Sequence, residues 1–257
     1  PEQMHHLLYF PFDSPGLVEF NLDVKNFPDS PFLRLFSFLL QGAVREGLKA
    51  TVKGNLPRNF VREAALWYYG EEEYQKHTRY VAFQTETDFF LFHIVRLVAG
   101  LTGHIKKRKN RFHATRAGNA VLENGIDGKV FLDLFKAYTM KLNWGYCDRY
   151  PDLHIVQASF LFMLYALTKY GDIFRPISFY EDLFMAAFPL AVREVAESTF
   201  WSRDGMVKRC VSFRVLSRFA FFFGFIEIKE PRNERRSEMN ELRKTPFLDE
   251  WVRFHVE

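Results

Sequence analysis

Residues 86–124, ETDFFLFHIVRLVAGLTGHIKKRKNRFHATRAGNAVLEN, decide how this 257-residue chain is read. An apolar run over 89–101, with Phe89, Phe92, Val95 and Leu97 at helical spacings, predicts a helix over 86–102. Gly103 stops it. Residues 104–108 and 111–114 then predict two short strands about a Lys109-Asn110 turn. Thr115 follows as a helix N-cap, its hydroxyl able to take an orphan backbone N–H, and Asn124-Gly125 ends that helix.

Upstream, Ser30-Pro31 combines an N-cap with a first-turn proline and predicts a helix to about residue 46. That helix buries Phe32, Leu35, Phe36, Leu39, Leu40 and Val44. After Gly47, residues 48–53 alternate Leu48, Ala50 and Val52 against Lys49, Thr51 and Lys53, the pattern of a half-buried strand. Gly54-Asn55 turns the chain and Pro57 opens a helix to about Tyr68. The order helix, strand, helix, helix, basic hairpin over 31–124 resembles the winged-helix superfamily, which implies nucleic-acid contact through the hairpin or use as a protein-interaction module. Residues 47–63, GLKATVKGNLPRNFVRE, are also similar to a segment of uncharacterised bacterial proteins, a likeness that implies no function. The pattern departs from a base-reading helix-turn-helix in two ways. Residues 70–85, with Glu71-Glu72-Glu73, separate the two central helices where a tight turn is expected. The third helix offers Phe89, Phe90, Leu91, Phe92 and Ile94, with His93 and Arg96 as its polar groups, where a groove reader needs Arg, Lys, Asn or Gln. An all-round apolar helix is expected to be buried.

Residues 1–30, punctuated by Pro11, Pro15 and Pro28, predict an extended arm that packs through Leu7, Leu8, Phe10 and Phe12. Residues 125–257 form a helical region. Helices are expected over 130–142, 152–170, 178–188 and from Pro189, broken by NWGYCDRYPD at 143–152. The end of the chain repeats the opening theme. An apolar helix over 210–223, Gly224, strands at 225–229 and 242–244, and Thr245-Pro246 before a closing helix match the order seen at 89–124, with a longer turn. The expected fold is mainly α with small β-hairpins, two winged-helix-like modules joined by a helical layer.

Composition bounds the rest. Apolar residues at 48% and charged residues at 26% are ordinary globular values, and 30 Phe without polar handles predict an aromatic core. A net charge of +4 permits an anionic partner without demanding one. Cys147 and Cys210 make no disulfide framework, which fits a reduced, cytoplasmic setting, and the apolar runs are too short to span a membrane. The chain begins at Pro1 and not Met, which is compatible with a piece of a longer protein and does not require one.

The sharpest candidate site is the basic hairpin, Lys106, Lys107, Arg108, Lys109 and Arg111, whose five cations can contact several phosphates of double-stranded DNA. The alternative is a solvated edge kept from aggregating by its lysines. A second basic region holds Lys208 and Arg209, with Arg214 and Arg218 further along the same helix, and Arg232, Arg235 and Arg236 on the longer turn. Glu227, Glu230, Glu234 and Glu238 are available to pair with them. Cys147 with His154 as base is the one arrangement with catalytic potential, and a junction with Asp148 pairing Arg149 is the simpler reading. No metal-ligand spacing, phosphate-binding glycine loop or nucleophile elbow occurs, so neither cofactor nor enzyme activity is expected. A protein partner on a surface near Trp67, Trp144 and Tyr146 is the competing function.

Overall fold

The computed structural model describes residues 2–14, 16–44, 46–79, 82–146, 148, 150–197, 200–229 and 241–256. It is mainly helical with small antiparallel sheets and divides into two units. The first is Asp29–Leu142, and the second joins Pro1–Pro28 to Asn143–Glu257. Residues 125–142 therefore belong with the module before them. Among the described residues no helix is long and apolar enough to cross a membrane.

The N-terminal residues of the second unit are not an extended arm. Helix α1 (Glu2–Tyr9) and strand β1 (Val18–Phe20) form there. No proline interrupts residues 2–9, so the prolines that suggested an extended chain act only after α1 ends.

The first unit opens with α2 (Pro31–Val44), capped by Ser30, whose Oγ accepts from the Leu33 N–H at 3.2 Å. Strand β2 (Leu48–Lys49) and helix α3 (Arg58–Thr78) follow. A break at Gly70 (φ 75°) interrupts α3, but the helix resumes through the three glutamates. Lys76 supports this turn, pairing with Glu72 at 3.0 Å and Glu73 at 2.7 Å, one helical turn away. Residues 71–78 are thus helical and not a linker. A short 3₁₀ turn at Glu86–Asp88 leads into α4 (Phe90–Leu101), then β3 (Ile105–Arg108), β4 (Arg111–Ala114), α5 (Arg116–Asn124) and α6 (Gly128–Lys136) with a π-helical end. Helix α4 packs against α2 and buries Phe92, His93, Ile94, Val95, Val98 and Ala99, as its apolar sequence requires. Phe32, Phe36, Phe131 and Phe135 complete a core in which each ring removed from water contributes about 2–3 kcal/mol.

In the second unit, α7 (His154–Ala158) and α8 (Phe160–Tyr170) precede β5 (Arg175–Pro176), α9 (Ile177–Ala187) and a 3₁₀ helix at Pro189–Glu194. Helix α10 (Arg203–Val211) continues as a π-helix over Ser212–Phe221, before β6 (Ile226–Lys229), β7 (Glu241–Lys244), α11 (Pro246–Trp251) and β8 (Val252–Phe254). Strand β8 pairs antiparallel with β1. Trp251, Phe225 and Phe247 stack at the end of this core, with Phe225 and Trp251 centroids 5.2 Å apart.

Each unit holds a three-stranded sheet of the same topology. Sheet order is β2-β4-β3 in the first and β5-β7-β6 in the second, the first strand pairing with the third in each. The helix-to-hairpin joint is also the same. Gly103 and Gly224 both take positive φ, and the hydroxyls of Thr115 and Thr245 donate to their carbonyls at 2.7 Å. Thr115 N–H donates to His104 O at 2.9 Å, and Thr245 N–H to Phe225 O at 2.8 Å. Thr115 also accepts from Gly118 N–H as a cap. Thr245, expected to do likewise, makes no side-chain cap, its hydroxyl facing Gly224 instead.

Candidate nucleic-acid interface

Strands β3 and β4 are joined by two residues, Lys109 (φ 47°) and Asn110 (φ 57°), both left-handed as a type I′ hairpin turn requires. Asn tolerates that conformation well, and Asn110 is also held from outside. Its carbonyl accepts from Ala50 N–H at 2.8 Å and its side-chain amide donates to Ala50 O at 3.3 Å. Arg111 Nη1 donates to the carbonyls of Glu46 and Gly47, 2.9 Å each, fixing the entry to β2. The hairpin is therefore anchored at its turn and at the base of its neighbouring strand.

Register sorts its side chains into two faces. Leu48, Phe112 and Lys107 lie in one cross-strand row, and Phe112 and Ile105 of that face are buried. Lys107, at the sheet edge, is exposed and its ammonium lies beside Gly54. The opposite face carries Lys49, Arg111 and Arg108 directly across from one another, followed by Lys106 opposite His113. Lys106, Lys107, Arg108 and Lys109 are all exposed, and among the described residues none has a carboxylate within ion-pair distance. Lys49, also exposed, joins this set although the sequence singled out only the hairpin. The one signal for it was its polar place in the 48–53 alternation.

The second hairpin has the same register and a different charge pattern. Pro176, Glu241 and Lys229 occupy the row that corresponds to Lys49, Arg111 and Arg108. Lys229 pairs with Glu241 at 3.1 Å, and Arg243 forms an ion pair with Glu227 opposite it. Lys244 lies between Asp172 (2.9 Å) and Asp249 (2.8 Å). Arg232, Arg235 and Arg236 lie outside the described residues.

On α10, Lys208 is committed to Asp182 at 2.6 Å, a contact that holds its ammonium above the ordinary lysine value. Arg209 is exposed, its guanidinium 3.7 Å from the Trp201 ring centroid. Arg214 is not a surface cation. It is 2% exposed and forms a bidentate pair with Asp148 (2.6 and 3.0 Å), with Pro151 O accepting at 3.0 Å. Asp148 pairs with Arg214; Arg149, the partner expected for it, lies outside the described residues, as does Cys147. His154, the suggested base, sits on the surface beside Asp152 at 3.5 Å. Cys210 is buried, and burial pushes its thiol up to about 12, the reverse of an activated thiolate.

One buried cluster went unseen in the sequence. Glu86, 1% exposed, accepts from His93 Nδ1 at 2.6 Å and Arg96 Nε at 2.8 Å, and also from Leu56 N–H. Burial alone would raise its carboxyl, but these donors outweigh it and hold the group below its ordinary value. Arg96 in turn lies 5.8 Å from the Phe112 ring centroid, so the cluster supports the floor of the basic hairpin.

No protein-family model, curated protein or solved structure matches this chain.

Proposed function

We propose that this chain binds nucleic acid without catalysing a reaction on it, using the β3–β4 hairpin as the basic wing of a winged-helix-like module in Asp29–Leu142. The observation that carries the proposal is the unpaired run Lys106, Lys107, Arg108 and Lys109, exposed on a hairpin held at its turn by Asn110 and Arg111 and at its base by Thr115. A hairpin that needed only solubility could balance its charges, as β6–β7 does with Glu227, Lys229, Glu241 and Arg243. The element order and the β2-β4-β3 sheet support the winged-helix reading, and the repeat of both in the second unit supports a second such module. Burial of α4 argues against base reading by the first module, so its contacts are to phosphates. The test is fluorescence anisotropy with labelled double-stranded DNA. Micromolar binding by the parent chain and its loss in Lys106→Glu/Lys107→Glu are expected, whereas no binding by the parent chain refutes the proposal.

A protein-partner reading rests on Leu66 and Trp67 of α3, 38% and 46% exposed. Trp144 does not contribute to it, being 5% exposed and packed with its ring centroid 5.0 Å from that of Phe219. Tyr146 is exposed but belongs to the other unit.

A further inference from the structure

The outward row of the first sheet has a consequence for how a nucleic acid lies on it. Lys49, Arg111 and Arg108 stand directly opposite one another on three adjacent strands, and Lys106 continues the face beside His113. Like charges placed directly across a sheet cost stability. Here three of them share one row, and among the described residues no carboxylate is within ion-pair distance of any member. Adjacent strands are about 4.8 Å apart, so the side chains of β2 and β3 start about 10 Å apart. Cations spread over that distance engage separate phosphates, which a hairpin tip inserted alone would not do.

We infer that the three-stranded face, and not only the hairpin tip, is the contact surface, with Lys49 on β2 as a phosphate-binding residue and a duplex backbone running across the strands. The inference rests on the nucleic-acid function proposed above. Arg111 is a member of the row and also holds it together. Its Nη1 bonds to the Glu46 and Gly47 carbonyls tie β2 to β4, and this places Lys49 in the row. The two outward rows contain no apolar side chain, which favours a polyphosphate over a membrane surface, where cations are accompanied by exposed large apolar groups.

The test compares Lys49→Glu with Lys53→Glu in the full chain, measuring affinity for a labelled 20-base-pair duplex over a salt series. Lys53 is exposed in the turn after β2 and off the row, so both variants change net charge equally. Loss of one phosphate contact lowers the slope of log K against log salt by about 0.9. Lys49→Glu is expected to do this and to weaken binding about tenfold at low salt, with Lys53→Glu close to the parent chain. Lys49→Gln provides a second check: it should weaken binding in the same direction without lowering the melting temperature, because it relieves repulsion in the row. If the parent chain binds and the two Glu variants weaken it equally, the face is not the contact surface, although the nucleic-acid function stands. If the parent chain binds no duplex, both fall. Binding to phosphatidylserine vesicles in place of the duplex, with the same dependence on Lys49, also overturns both.

Discussion

The two hairpins of this protein have the same register, the same glycine before them and the same threonine after them, yet they handle charge in opposite ways. Across β6–β7, Glu227 faces Arg243 and Lys229 faces Glu241. Across β3–β4 and onto β2, cation faces cation. Exposed pairs of the first kind contribute roughly 0–1 kcal/mol and need nothing further. The second arrangement costs the isolated protein something, a cost that a bound polyanion would relieve. Shared topology therefore does not imply a shared surface: one backbone plan carries both charge patterns, and the side chains on one face separate them.

The largest expected effects concern the scaffolds beneath the hairpins, where the two units resemble each other. Each sets an arginine of the helix that leads into its hairpin against a buried carboxylate, Arg96 of α4 with Glu86 and Arg214 of the π-helical continuation of α10 with Asp148. Asp148→Asn leaves the fully buried Arg214 uncompensated and should destabilise the second unit by about 4 kcal/mol, seen as a lower urea midpoint. Glu86→Gln should cost the first unit about 3 kcal/mol, because Arg96 keeps partial access to water. The Glu86 carboxyl lies below its ordinary value in the folded state, so its contribution is present above the unfolded value near 4.3 and is lost as pH falls through the lower folded value. Melting temperature measured from pH 6 to 3 should therefore fall in the parent chain, and Glu86→Gln should flatten that acid limb.

The hairpins themselves come next. Lys106→Glu/Lys107→Glu should weaken duplex binding about a hundredfold, or about 2.7 kcal/mol, and flatten its salt dependence. The matched change on the second hairpin, Glu227→Ala with Arg243→Ala, should alter stability by less than about 0.5 kcal/mol and leave duplex binding unchanged. A large effect of the second pair on binding would erase the distinction between the hairpins.

Much of this was legible in the sequence because its signals are local. Gly103, Lys109-Asn110 and Thr115 mark the first hairpin within 13 residues, and Gly224 and Thr245 mark the second. The burial of α4 followed from its apolar circumference. What escaped notice depended on distant partners. Strand β5 is two residues long, Arg175–Pro176, and exists only because β7 lies beside it. The helical turn after the break at Gly70 carries pairs of Lys76 with Glu72 and Glu73, where the acidic run alone reads as a linker. Arg214 read as a surface cation because Asp148, which buries it, is 66 positions earlier. Lys49 read as one of three polar alternates, and only pairing with Arg111 places it in the charged row.

The central claim is that the first hairpin and its sheet face form a multivalent phosphate site. The most direct test is the slope of log K against log salt for the parent chain on a short DNA duplex. Four to five phosphate contacts predict a slope of about −3.5 to −4.5. A slope near zero, or no binding at about 50 mM salt, would contradict the account, because unpaired cations on an anchored face could then serve only solubility.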